Sequence, residues 1–91
     1  MSEVSQSVEI RNKLGLHARA AATLVRVTAR FESSIKIRKS GLEVDGKSIL
    51  GMMSLAAGIG TVLTITCEGP DQGEALEAIA SCIEGRFGES E

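Results

Sequence analysis

The chain is organised around one stretch, Gly15-Leu16-His17-Ala18-Arg19-Ala20-Ala21-Ala22. Glycine permits a turn that residues with a Cβ resist, and alanines favour helix, so we expect the histidine at or just before a first helical turn. The first amide N–H groups of a helix have no partner within it and lie at the positive end of its dipole. Together with the guanidinium of Arg19, they form a site suited to a phosphate or another compact anion.

His17 is the only histidine in the chain. A neutral imidazole beside an anion site meets the requirements for phosphoryl transfer to nitrogen. The alternative is structural, because many histidines near helix starts make a local hydrogen bond and have no chemical role. The residues of this stretch alone leave both interpretations open.

Length and composition indicate one globular domain, residues 1–91, with a single modest core. A net charge of −2 argues against general nucleic-acid binding, and the absence of Trp and Tyr removes the stacking platforms that single strands prefer. No apolar run approaches the ~18 residues of a membrane span, and the N-terminal residues lack the pattern of a signal peptide. We therefore expect a cytoplasmic protein that does not insert into membranes.

The chain contains two cysteines, Cys67 and Cys82. Two cysteines are too few for a disulfide framework, and one histidine gives no cluster with metal-ligand spacing. We expect both thiols to be buried as small hydrophobes, and we expect neither a metal nor another cofactor.

Apolar spacing predicts the element order β-α-β-β-α-β-α. The hairpin should turn Leu42 inward, Ser48 should cap the short second helix, and the side chain of Asp71 should cap the last helix. This order implies an α+β two-layer sandwich with helices on one face of the sheet. The predicted strands cover residues 7–10, 34–38, 42–44 and 61–68, and the predicted helices cover residues 18–30, 48 to about 55, and 71 to about 85.

Two motifs carry a resemblance to a known family. The stretch around His17 resembles the active-site signature of HPr, the histidine-containing phosphocarrier family of the bacterial phosphoenolpyruvate-dependent sugar phosphotransferase system. Gly46–Leu55 resembles that family's regulatory serine and docking helix, and the order and spacing of elements match from about Val8 to Phe87. The chain departs from the family pattern at Ala20, where the family usually has proline.

The resemblance implies an open-faced sandwich, in which three helices cover one face of a four-stranded antiparallel sheet with the first and fourth strands adjacent. It implies a phosphoryl carrier and not an enzyme: Nδ1 of His17 accepts the group from enzyme I and passes it to IIA domains of sugar permeases. Arg19 would stabilise the phosphoryl group, and Ser48 would be a regulatory phosphorylation site. The expected partner contacts are Leu16, Ala20, Ile49, Leu50 and Met53.

The resemblance further implies a monomer, with a serine kinase/phosphorylase and a transcription factor as additional partners. One alternative is the carrier of the nitrogen-related regulatory branch, which has the same fold and histidine. Another is a ferredoxin-like domain that binds a small regulatory ligand, but that function gives no reason for Gly15–Arg19 or Gly46–Ser48. A hydrolytic enzyme is disfavoured further, because one histidine with no nucleophile and orienting carboxylate known to lie near it is no triad.

Overall fold

Seven helices and strands and a final 3₁₀ turn follow one another in the computed structural model, which describes residues 2–91. The order β-α-β-β-α-β-α predicted from the sequence is confirmed. The elements are β1 (Val4–Glu9), α1 (Ala18–Thr28), β2 (Ser34–Lys39), β3 (Leu42–Asp45), α2 (Ile49–Met53), β4 (Val62–Glu68), α3 (Gln72–Glu84) and the 3₁₀ turn (Arg86–Gly88).

The four strands form one sheet in the order β1-β4-β2-β3, with every neighbouring pair antiparallel. The first and fourth strands are therefore adjacent, as predicted, and β4 is a central strand. Leu63, Ile65 and Cys67 alternate along β4 and are fully buried. These side chains form one core with the apolar faces of the helices, which cover the same side of the sheet.

Three boundaries differ from the prediction by two residues or more. β1 begins at Val4 instead of residue 7, because Val4 pairs with Cys67 at the far end of β4. α1 ends at Thr28 instead of residue 30, and the Thr28 hydroxyl donates a hydrogen bond to the carbonyl of Gly46 at 2.8 Å. α2 ends at Met53 instead of about residue 55. Strand pairing and such tertiary contacts are invisible to a local apolar pattern.

Leu42 lies on the same face of the sheet as Val44, which packs against the core, so its predicted orientation is right, but its side chain is 51% exposed. Leu42 pairs with Lys39 at the turn end of the β2–β3 hairpin, and β3 is an edge strand. Because β3 has a neighbouring strand on one side only, fewer side chains surround Leu42 than surround the residues of β4.

Asp71 stands at the N-cap position of α3 but does not cap the helix with its side chain. Its carboxylate instead accepts hydrogen bonds from the N–H of Glu32 at 2.9 Å, the N–H of Ser33 at 3.0 Å and the hydroxyl of Ser33 at 2.5 Å. The Ser33 hydroxyl, followed by the Glu32 N–H, lowers the pKa of Asp71. The capping prediction is corrected: this side chain ties the start of α3 to the segment that precedes β2.

The two thiols differ in burial. Cys67 is buried in β4, as predicted, whereas Cys82 on α3 is only half-buried. Burial raises the pKa of both thiols. Among residues 2–91, no cluster of metal-ligating side chains occurs. No helix in that same range has the length and apolar character to cross a membrane.

Candidate functional site

His17 is the N-cap residue of α1, as predicted. Its backbone is extended, and its carbonyl accepts the first hydrogen bond of the helix from Ala21 N–H at 2.8 Å. The N–H groups of residues 18–20 consequently have no partner within the helix. The His17 side chain is 26% exposed, so the imidazole is accessible at the positive end of α1.

A left-handed turn at Gly15 brings His17 to the helix start. Gly15 has φ of +71°, and a Cβ at this position would lie 2.5 Å from the carbonyl oxygen of Ala57. The same oxygen accepts a hydrogen bond from Leu16 N–H at 2.8 Å. Glycine is required here for both its conformation and its lack of a side chain, and the loop after α2 supports the turn.

Arg19 lies in the first turn of α1 and is exposed. Within residues 2–91 its guanidinium forms no hydrogen bond or ion pair that meets the usual distance limits. Its positive charge nevertheless contributes to lowering the pKa of a nearby carboxylate, that of Glu89. The guanidinium is therefore both close to the site and available to an anion.

Glu89 lies against the imidazole, and no sequence pattern indicated it. His17 Nε2 is 2.5 Å from Glu89 Oε2, and the Glu89 side chain is 19% exposed. A hydrogen bond from Asn12, and then the bond with His17, lower the pKa of Glu89. Glu89 is thus a carboxylate at neutral pH and can only accept, so Nε2 carries the proton. In the neutral ring the lone pair then belongs to Nδ1.

Asn12 holds Glu89 in this position. Its side chain is completely buried, and its Nδ2 donates to the carbonyl of Gly15 at 2.8 Å and to Glu89 Oε1 at 2.9 Å. Both N–H groups of the amide are therefore used, whereas Oδ1 is buried with no partner among the described residues. The Gly15 carbonyl and Glu89 Oε1 are both acceptors, and they fix the orientation of the amide. A flipped amide would place its oxygen, which cannot donate, against both of them.

The chain reverses after α3, and this reversal brings Glu89 to His17. Arg86, Phe87 and Gly88 all have positive φ, at 59°, 53° and 83°. Phe87 is buried and anchors the turn, and Lys13 N–H donates to the carbonyl of Glu91 beyond it. The terminal residues consequently lie along the loop that precedes His17.

An open groove of about 500 Å³ lies between this terminal segment and α1. Two of its lining residues are the cations Lys13 and Arg19, and a third is the exposed apolar side chain of Leu14. Its other lining residues are Thr23, Phe87, Gly88, Glu89, Ser90 and Glu91.

Ser48 is the N-cap of α2, as predicted, and its hydroxyl accepts a hydrogen bond from Gly51 N–H at 2.9 Å. The apolar side chains of α2 divide between the core and solvent. Met52 is fully buried, whereas Leu50 is 79% exposed and two neighbours are partly exposed. We call the three exposed side chains the α2 surface: Ile49, Leu50 and Met53.

Leu16 and Ala20 were expected to contact a partner, but both side chains are buried in the core. They leave a partner almost no area to contact, because both side chains belong to the buried core cluster. Neither residue can therefore be part of a docking surface.

Comparisons with known proteins agree on one family. Residues 4–85 match the family model described as PTS HPr component phosphorylation site. The phosphocarrier protein HPr of Cupriavidus necator is 48% identical over 88 residues, which cover 97% of this chain and 99% of that protein. The crystal structure of HPr-C-His from Thermoanaerobacter tengcongensis has a TM-score of 0.90 and 44% identity, with 100% of both chains covered. An HPr dimer from the same organism has a TM-score of 0.76 and 45% identity, covering 98% of this chain and 100% of that one.

Proposed function

The chain belongs to the HPr family of phosphocarrier proteins, and from this membership we propose that Nδ1 of His17 carries the phosphoryl group. The donor in this proposal is phosphorylated enzyme I, and the acceptors are IIA domains of sugar permeases. The observation that supports it most strongly is the placement of His17: an accessible imidazole at the N-cap of α1, with Nε2 bound to a carboxylate and Nδ1 left as the nucleophile.

The surroundings of His17 suit a group that arrives and leaves with negative charge. The unpartnered N–H groups of residues 18–20 and the positive end of α1 favour an anion beside the ring. The exposed guanidinium of Arg19 supplies a full positive charge with donors in a fixed fork. These groups stabilise the phosphoryl group during transfer, when its charge is most spread.

Docking of enzyme I and IIA domains requires a surface close to His17, and we assign this role to the α2 surface. α2 packs against α1, and the loop after it bonds to Leu16, next to the histidine. Exposed Leu50 would lose its contact with water when a partner covers it, which favours association. Ser48 adjoins this surface, so its phosphorylation by a serine kinase would place charge where partners bind.

We propose the sugar-transport branch and a monomeric carrier. Lys47–Leu55 resembles the sugar-type carrier more than the nitrogen-related one. The related dimer from T. tengcongensis makes the oligomeric state a matter for measurement, and light scattering after gel filtration would give the mass in solution. A mass of twice that of the chain would contradict the proposal that the protein is monomeric.

Incubation with phosphoenolpyruvate and enzyme I tests the proposal. The wild-type chain should take up one phosphoryl group, in an acid-labile and alkali-stable linkage, and lose it when a sugar-type IIA domain is added. His17→Ala should remain unlabelled. Labelling of His17→Ala would refute the proposed acceptor, and discharge only to an acceptor of the nitrogen-related system would refute the proposed branch.

A further inference from the structure

We propose that Glu89 is a positioning residue for phosphoryl transfer: its carboxylate fixes the Nε2–H tautomer of His17 and stabilises the ring when Nδ1 bears the phosphoryl group. This inference rests on the proposed function of His17. The residue is not part of either motif noted in the sequence, and it lies 72 positions from the histidine.

The contact itself specifies the tautomer. Glu89 Oε2 lies 2.5 Å from His17 Nε2, and its other oxygen, Oε1, already accepts from Asn12 at 2.9 Å. An ionised carboxylate has no proton to donate, so the Nε2 hydrogen must lie between the two atoms. Within residues 2–91, Nδ1 has no hydrogen-bond partner, and its lone pair remains available to phosphorus.

Asn12 makes the position of Glu89 specific. The buried amide joins the carbonyl of Gly15, in the turn before His17, to the carboxylate of Glu89. The same amide therefore fixes the loop that holds the ring and the carboxylate that orients it. Two freely moving surface side chains lose rotamer entropy when they form a contact. Here Asn12 already holds both Glu89 and the loop before His17, so less entropy is lost.

The charge changes during transfer give the carboxylate a role beyond orientation. The Nδ1 lone pair forms a bond to phosphorus while the P–N bond of the donor histidine breaks, and that electron pair returns to the donor nitrogen. Because Nε2 keeps its proton, the His17 ring becomes an N-phosphorylated cation. The Glu89 carboxylate hydrogen-bonded to Nε2–H is placed to stabilise this positive charge.

A carboxylate near an incoming phosphoryl group also repels it, so the opposite effect has to be weighed. The carboxylate accepts from Nε2–H, and the N–H bond of Nε2 and the lone pair of Nδ1 point in different directions from the ring, so Glu89 does not occupy the position of the phosphoryl group. Arg19 also acts on Glu89 and offsets part of its charge. If repulsion nevertheless dominated, removal of the carboxylate would speed transfer.

Transfer kinetics test the proposal with three variants. Glu89→Ala should lower the rate constant at saturating phosphorylated enzyme I by roughly tenfold or more, the effect of losing one hydrogen bond to a charged group. The half-saturating concentration of enzyme I should stay the same. Glu89→Gln should be intermediate, since its one carbonyl oxygen replaces two carboxylate oxygens. Glu91→Ala is the matched control: it removes an exposed tail charge that, among the described residues, forms an ion pair only with exposed Lys13, at 3.8 Å, and it should transfer at the wild-type rate.

A wild-type or faster rate for Glu89→Ala would overturn the proposal, as would equal slowing by Glu89→Ala and Glu91→Ala. Nitrogen-15 NMR of the unphosphorylated chain gives an independent readout at a pH where the ring is neutral. The wild type should show a downfield Nε2–H signal protected from exchange, and Glu89→Ala should lose it while the backbone spectrum is retained. Absence of the signal in the wild type would overturn the proposal even if His17 is phosphorylated. Presence of the signal without phosphorylation would locate the failure in the proposed function instead.

Discussion

At the scale of single residues, the two ring nitrogens of His17 have different surroundings. Nε2 contacts a carboxylate that is held by a buried amide, whereas Nδ1 has no hydrogen-bond partner among residues 2–91. In a neutral imidazole, one ring nitrogen is therefore hydrogen-bonded and the other is free. This asymmetry is what selective transfer to one nitrogen requires.

Arg19→Ala should slow phosphoryl transfer by roughly tenfold or more, because in the proposed mechanism the guanidinium stabilises charge in the transition state and alanine cannot replace it. The melting temperature should be almost unchanged, since Arg19 is exposed and its side chain is bonded to no other described residue. Single-turnover transfer from phosphorylated enzyme I and a thermal melt measure the two effects. Arg19→Lys keeps the charge and should recover part of the rate. Normal transfer with a large loss of stability would reverse the assignment.

At the scale of elements, the first residues of α2 and α3 are the basis of one prediction about regulation and one about stability. α2 begins at Ser48, whose hydroxyl caps the helix, and it presents apolar side chains to solvent directly afterwards. α3 begins at Asp71, whose carboxylate bonds to the chain before β2 instead of to its own helix. A polar residue at a helix start thus has a different function in each case, and only the tertiary contacts distinguish them.

Ser48→Asp should accept phosphate from enzyme I much more slowly than the wild type, with the loss greatest at low enzyme I. The added charge adjoins Ile49 and Leu50, where a partner would have to desolvate it. Ser48→Ala should transfer normally and lose roughly 1 kcal/mol of stability, because only the bond to Gly51 is removed. Transfer by folded Ser48→Asp at the wild-type rate across enzyme I concentrations would contradict regulation by charge at this position. Authentic phosphoserine would then be the remaining test.

The acid sensitivity of the fold should depend on Asp71. Its pKa is lowered in the folded chain, so its contribution to stability is present at neutral pH and is lost as the pH falls below about 4 and through the folded value. Asp71→Asn should therefore lower the melting temperature at neutral pH, and the difference from wild type should shrink in acid. Glu74→Gln, at an exposed site in the first turn of α3, is the control. A difference that does not change with pH would show that the ionised carboxylate is not the cause.

At the scale of the whole molecule, local pattern and tertiary contact determine different parts of the structure. The order of elements, the central position of β4 and the N-cap positions of His17 and Ser48 follow from periodicity, turn residues and the family resemblance. The contact of Glu89 with His17 could not be predicted in this way. It depends on three consecutive residues with positive φ after α3, two of which are not glycine. Gly85 and Gly88 indicated where the helix ends, but nothing in the sequence indicated the direction of the chain beyond it.

The most direct test of the central claim is to locate the phosphoryl group on the intact protein. The chain labelled with nitrogen-15 is phosphorylated from phosphoenolpyruvate through enzyme I, and the linkage is identified by phosphorus–nitrogen coupling in NMR spectra. We predict one phosphoryl group per chain, bonded to Nδ1 of His17, with Nε2 still protonated. A phosphoryl group on Nε2, on another residue, or on no residue at all would contradict the proposed function.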